Sequence, residues 1–141
     1  MPLSNTVKKN IVNLLTGQSG GSGLSYQKVY VGLSTSTPSA DGTNITEPSD
    51  TAYKRVLVGW SGQSASYKMS TATESTPSSA NTEPILFDKA TSSWGTITHV
   101  VFYDAQTSGN FLGYAALNSS VSVSSGNVAR IAIGDFTVSI S

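Results

Sequence analysis

The sequence predicts an all-β protein. It reads as an antiparallel β-sandwich of about eight short strands behind one short N-terminal helix, with a β-barrel as the alternative architecture. Three observations carry this reading. Apolar and polar residues alternate with period two in runs such as Lys28-Val-Tyr-Val-Gly-Leu-Ser and Phe136-Thr-Val-Ser-Ile-Ser, the pattern of a sheet with one buried and one exposed face. Turn-forming clusters bound these runs, among them Asp41-Gly42, Gly109-Asn110 and Ser125-Gly126-Asn127. The chain also holds 25 Ser and 16 Thr against only eight Lys and Arg and eight Asp and Glu. With the alternation present, that composition describes uncharged, hydroxyl-rich sheet faces rather than disorder.

In chain order, residues 4–16 read as a helix. Ser4 is a suitable N-cap, Val7, Ile11, Leu14 and Leu15 make one apolar stripe, and Gly17 is placed to end it. A helix this short is marginal alone, so the stripe needs a partner, either its own domain or another subunit. Residues 18–27 are a Gly/Ser linker. The organisation expected is therefore a helical arm over 1–17, a linker over 18–27 and a sandwich domain over 28–141. The first strand is Lys28–Ser34. Residues 34–50 form a long Ser/Thr/Pro/Gly loop marked by Pro38, Asp41-Gly42 and Pro48, longer than ordinary connections and so expected to make contacts.

Tyr53–Trp60 reads as the second strand. Residues 61–80 are polar, with a weak edge strand around Tyr67–Met69. Further strands fall near Ile85–Phe87, Ile97–Tyr103 and Phe111–Leu117. Val121–Ser124 and Val128–Gly134 read as the two arms of a hairpin, and Phe136–Ser141 closes the chain. Thr-Glu-Pro recurs at 46–48 and 82–84, but the flanks differ and no repeat follows.

Composition excludes several function classes. There is no Cys and one His, so disulfides and thiolate metal sites are out and a zinc or iron site is disfavoured. The net charge is zero, which argues against nucleic acid and against an anionic membrane surface. No apolar run is long enough to span a bilayer, and no secretory leader is visible. His99 lies in mid-strand and is the only possible base for a Ser–His–Asp triad, yet no nucleophile elbow accompanies it. Asp41-Gly-Thr-Asn44 with Glu47 offers oxygen ligands without the dense acid alternation of a calcium loop. Glu47, Glu83, Asp88 and Asp104 show no pairing of the kind glycoside hydrolysis needs. No phosphate loop or dinucleotide fingerprint appears. No cofactor and no catalytic residue is expected.

The remaining candidates are contact residues. Glu47 is placed to pair with Arg55 across the loop-to-strand junction, which would close the long loop. Trp60 and Trp94 are core rings or interface anchors. The contact candidates are thus Val7, Ile11, Leu14, Leu15, Pro38, Asp41, Glu47 and Trp60.

A series of short motifs carries a resemblance. It runs Tyr30-Val-Gly-Leu-Ser-Thr35, Asp41-Gly-Thr43, Thr46-Glu-Pro48 and Tyr53-Lys-Arg-Val56. It continues through Phe87, Ala90-Thr91, Trp94-Gly95, Thr98-His99, Phe102-Tyr-Asp-Ala105, Gly109-Asn110 and Leu112. In that order the chain resembles small tailed-bacteriophage virion proteins of the tail-fibre-like or minor structural type. The resemblance covers roughly residues 28–117 and implies a β-sandwich virion component without enzymatic activity, made in the host cytoplasm.

Two positions on the particle follow as expectations. The first is an exterior capsid decoration protein, attached as an oligomer and gripping the shell through its N-terminal helix. The alternative is a tail-fibre or tail-tip component that contacts the host receptor; the absence of a stalk, heptad or collagen-like repeat favours the first. A carbohydrate-binding sandwich, with Tyr26, Tyr67 or Trp60 as platform, is a more remote reading.

Overall fold

A computed structural model of the chain describes residues 4–16, 28–59 and 67–139. It comprises α1 (Asn5–Leu15), β1 (Val29–Ser34), β2 (Val56–Gly59), β3 (Tyr67–Lys68), β4 (Ser78–Ala80), β5 (Ile85–Lys89), β6 (Gly95–Tyr103), β7 (Phe111–Val123), β8 (Val128–Ile131) and β9 (Thr137–Ser139). Five strands form one sheet in the order β3-β2-β1-β6-β7. Two antiparallel ribbons, β4-β9 and β5-β8, complete the architecture. All pairings are antiparallel except β2 with β3. The large sheet stays open between β3 and β7, so the sandwich forms and the barrel does not.

β1 sits at the centre, with Val29 opposite Val58 and Leu33 opposite Val100. Flanked on both edges, it is buried almost throughout: Val29, Val31 and Leu33 have no exposed surface. Ile97, Val100 and Phe102 of β6 continue this layer. Ile85, Phe87, Ala129 and Ile131 of the β5-β8 ribbon and Phe136 face it. Each such aliphatic or aromatic side chain contributes about 1.5–3 kcal/mol on burial. Ring contacts tie the layers: Phe102 to Phe136 at 5.8 Å, and Trp94 edge-on to both Tyr53 (5.4 Å) and Phe87 (6.4 Å).

The structure departs from the sequence reading in four places. β2 starts at Val56, because the side chains of Tyr53 and Arg55 are drawn into the loop clamp described below. The strands expected at 111–117 and from 121 are one continuous strand. Within it Ile97 faces Val121 but His99 faces Ala116, so β7 carries three additional residues at this bulge. No hairpin joins 121–124 to 128–134: β7 stays with β6, while β8 crosses to pair with β5. Finally β4, only three residues long and Ser-rich, carries no readable period.

The helix forms as expected; among the side chains described there, Val12, Asn13 and, just after it, Thr16 are buried, whereas Ile11 and Leu15 of the apolar stripe are half-buried. Asn13 decides this. Its amide donates to the Ala72 carbonyl (3.2 Å) and accepts from the Ala72 N–H (2.7 Å), a strand-like pairing that fixes α1 on the segment before β4. Thr6 donates to Glu74 at 2.8 Å, and Lys9 lies 3.9 Å from the same carboxylate.

Candidate functional site

The long loop after β1 is the most heavily wired part of the surface. Two carboxylates hold it. Glu47 takes a bidentate pair from Arg55, with Nε to Oε1 at 3.0 Å and Nη2 to Oε2 at 2.8 Å. The Tyr53 hydroxyl donates to Glu47 Oε1 at 2.6 Å and accepts from the Leu33 N–H at 2.8 Å. Arg55 also donates through Nη1 to the carbonyls of Ala105 (3.1 Å) and Ser108 (2.7 Å), and its guanidinium stacks 3.5 Å from the Tyr103 ring centre. Gln106 returns a hydrogen bond to the Arg55 carbonyl. One guanidinium therefore joins the long loop to the β6–β7 turn, and the Tyr53 hydroxyl ties the same carboxylate to β1.

Gly32 makes this convergence possible. A Cβ there would lie 2.5 Å from Glu47 Oε1 and 2.8 Å from the Tyr53 hydroxyl. Only hydrogen fits, so the backbone of β1 admits the carboxylate directly above it.

The Glu47–Arg55 pair expected from sequence forms, but not as a solvated surface contact: Arg55 is only 8% exposed. That changes its energetics. An exposed pair contributes about 0–1 kcal/mol, and removing one partner of a fully buried pair costs several; with the Glu47 side chain 21% exposed, this partly buried pair lies between the two. Burial pushes the Tyr53 hydroxyl far above the usual tyrosine range, and the Glu47 charge adds to it, so Tyr53 stays a donor. Burial opposes the charge on Arg55, but hydrogen bonding and attraction to Glu47 outweigh it and the net shift is upward.

The second carboxylate, Asp50, closes the far end of the loop. It accepts from the Thr91 hydroxyl, the Thr91 N–H (2.7 Å), the Ser92 N–H (3.1 Å), the Ala52 N–H (3.1 Å) and the Trp94 indole N–H (2.8 Å). The Thr91 hydroxyl, followed by Trp94 and the backbone donors, holds its carboxyl far below the usual range against a smaller opposing effect of burial. No sequence signal marks this clamp, because its donors other than the Ala52 N–H lie 41 to 44 residues downstream.

The other contact candidates distribute as follows. Pro38 is buried at the loop's base and Asp41 is exposed at its tip. Asp41 accepts from the N–H and hydroxyl of Thr43, a turn closed on itself. Ile11 and Leu15 are half-buried; Trp60 and the side chains of Val7 and Leu14 lie outside the described residues. The structure thus brings Glu47 into a clamp and places the described candidates Ile11, Leu15, Pro38 and Asp41 on the helix and the loop apart from it. His99 is half-buried in β6, its Nδ1 2.8 Å from the Thr98 hydroxyl. Asp104 receives the Asn110 N–H (2.6 Å) and side-chain amide (2.8 Å), which shapes the β6–β7 turn and lowers its pKa.

Glu47, Asp50 and Asp104 of this β-sandwich each brace a loop or turn. The family model of the Podophage GP4 fiber I protein gp80 matches residues 2–139, nearly the whole chain, and the chain belongs to this family. It is accordingly a phage structural protein of the fibre type, a virion component that works alongside other virion proteins. Among curated proteins none matches the chain.

Proposed function

We propose that the protein is a non-enzymatic, multi-copy part of the phage tail fibre, contacting neighbouring virion proteins or the host receptor through its loops. The observation that carries this reading is the family match over residues 2–139. It favours the tail-fibre position over capsid decoration, the placement favoured by the sequence alone. The site geometry agrees. Glu47, Asp50 and Asp104 are engaged with Arg55, Trp94 and Asn110, so these carboxylates fix loop shape. A loop held this rigidly presents its surface to a partner with little ordering cost.

The position on the particle is tested by fusing a small epitope to the C-terminus and imaging gold-labelled virions. Label on the tail fibres is the expected result. Label confined to the capsid shell overturns the reading and restores decoration.

A further inference from the structure

The Arg55 clamp has a face toward solvent as well as a buried side. Two hollows lie along that face, one of about 330 Å³ bordered by Thr107 and one of about 310 Å³ bordered by Tyr30 and Asp88. Lys54, Arg55 and Gln106 line both, so the two hollows make one groove beside the segment that leads into β2. Each is at the lower end of the range of small-ligand clefts, ~300–1,000 Å³.

The walls are set before any ligand arrives. The Arg55 guanidinium holds the carbonyls of Ala105 and Ser108, and the Gln106 amide is fixed on the Arg55 carbonyl at 3.2 Å. Ser108 sits at φ 53°, a left-handed conformation that a residue with a side chain adopts at a cost. The turn that carries Gln106 and Thr107 is therefore held in one shape, and a ligand would find it already ordered.

The polar groups on these walls are not spent on each other. Lys54, Asp88 and Thr107 are exposed, and their side chains make no hydrogen bond or ion pair with another described residue. Lys54 and Asp88 line the same hollow and still do not pair. Gln106 keeps its side-chain carbonyl as an acceptor. Glu47 and Arg55 cancel each other's charge.

This donor and acceptor set selects the ligand. Asp88 repels an anion and Lys54 repels a cation at the same wall. An apolar molecule would strip water from an ammonium and a carboxylate and return no hydrogen bond. A neutral molecule dense in hydroxyls satisfies both, because a hydroxyl accepts from the Lys54 Nζ and donates to the Asp88 carboxylate. The half-buried Tyr30 ring adds an apolar face for the C–H side of a sugar ring.

We propose that this groove binds a saccharide, with one ring between Lys54 and Asp88 against Tyr30 and a second toward Thr107. The proposal rests on the receptor-contact half of the proposed function and names its ligand class. Its test uses purified protein, so its failure leaves the fibre position intact, whereas gold label on the capsid strikes the position alone.

Methyl glycosides of glucose, galactose, mannose, rhamnose and N-acetylglucosamine are added singly to the nitrogen-labelled full chain, up to about 50 mM, enough to fill a millimolar site. At least one should shift the amide NMR signals of Tyr30, Lys54, Asp88, Gln106 and Thr107 together and saturably. Lys54→Ala and Asp88→Asn, both at exposed positions, should each weaken that binding by roughly tenfold with the melting temperature unchanged. Inorganic phosphate at the same concentration should not displace the glycoside. No saturable shift in the groove with any of the glycosides overturns the proposal. So do shifts confined to another surface, binding indifferent to both substitutions, or displacement by phosphate, which marks an anion site.

Discussion

Two turns of this molecule are held rigid by opposite means. The loop after β1 is fastened by charge: Glu47 on Arg55, and Asp50 on four backbone and side-chain donors plus a threonine hydroxyl. The turn at 132–135 is fastened by neutral amides, Asn81 and Asn118, with similar bond lengths of 2.7–3.1 Å. The geometry is comparable and the physics is not. A buried ion pair punishes the loss of one partner, because the survivor is left charged and poorly solvated. Cutting a side-chain amide out of the second clamp removes neutral dipoles and leaves no unpaired charge. The first suits a loop that must never open; the second holds the turn that carries Ile133, which is 62% exposed.

Substitutions separate the two clamps. The largest effect is expected for Arg55→Met, which leaves Glu47 facing Tyr53 alone and strips the carbonyls of Ala105 and Ser108 of their donor. A loss of about 3 kcal/mol in urea unfolding is expected, with Glu47→Gln/Arg55→Met recovering part of it in a double-mutant cycle. If Arg55→Met costs under about 1 kcal/mol, the pair behaves as a surface contact and the contrast fails.

Next comes Asn81→Ala, expected to cost about 1 kcal/mol: the side-chain bonds to Glu83, Ala132 and Gly134 are lost, while the Gly134 N–H keeps the Asn81 carbonyl and the Ala132 carbonyl keeps the Asp135 N–H. Its cost should be smaller than that of Arg55→Met in the same urea unfolding; a cost as large would remove the contrast between the two clamps.

The smallest effect is the acid dependence contributed by Asp50. Its carboxyl is depressed in the folded state, so the stability it adds is present above the ordinary carboxylate pKa, near 3.8, and is lost as pH falls through the lower folded value. Asp50→Asn should flatten the fall in melting temperature below about pH 4 relative to wild type. An unchanged acid limb would show that Asp50 does not titrate with unfolding.

How much of this was legible in the sequence depends on the distance between partners. Glu47 and Arg55 are eight residues apart and their pairing could be read. The depth of that pair could not, because the carbonyls that enclose Arg55 lie 50 and 53 residues away. The all-β class, the β6–β7 hairpin and the N-terminal helix followed from local period and turn chemistry. The partner of β8 did not. Ser125-Gly126-Asn127 announces a reversal of direction, but only the packing of Ala129 and Ile131 beside Ile85 and Phe87 decides which sheet receives the strand. The helix shows the same limit: hydropathy picked Ile11 and Leu15, which are half-buried, while Val12 and an asparagine that bonds like a strand are buried. The exposure of Ile133 was hidden because it sits in an apolar run, Val128–Gly134, that reads as a strand interior.

The docking of α1 has a consequence for unfolding. α1 packs against the segment before β4 and against β9, so the first and last of the described elements share one surface. Fraying of Thr137–Ser139 therefore strips the helix of part of the surface that receives it.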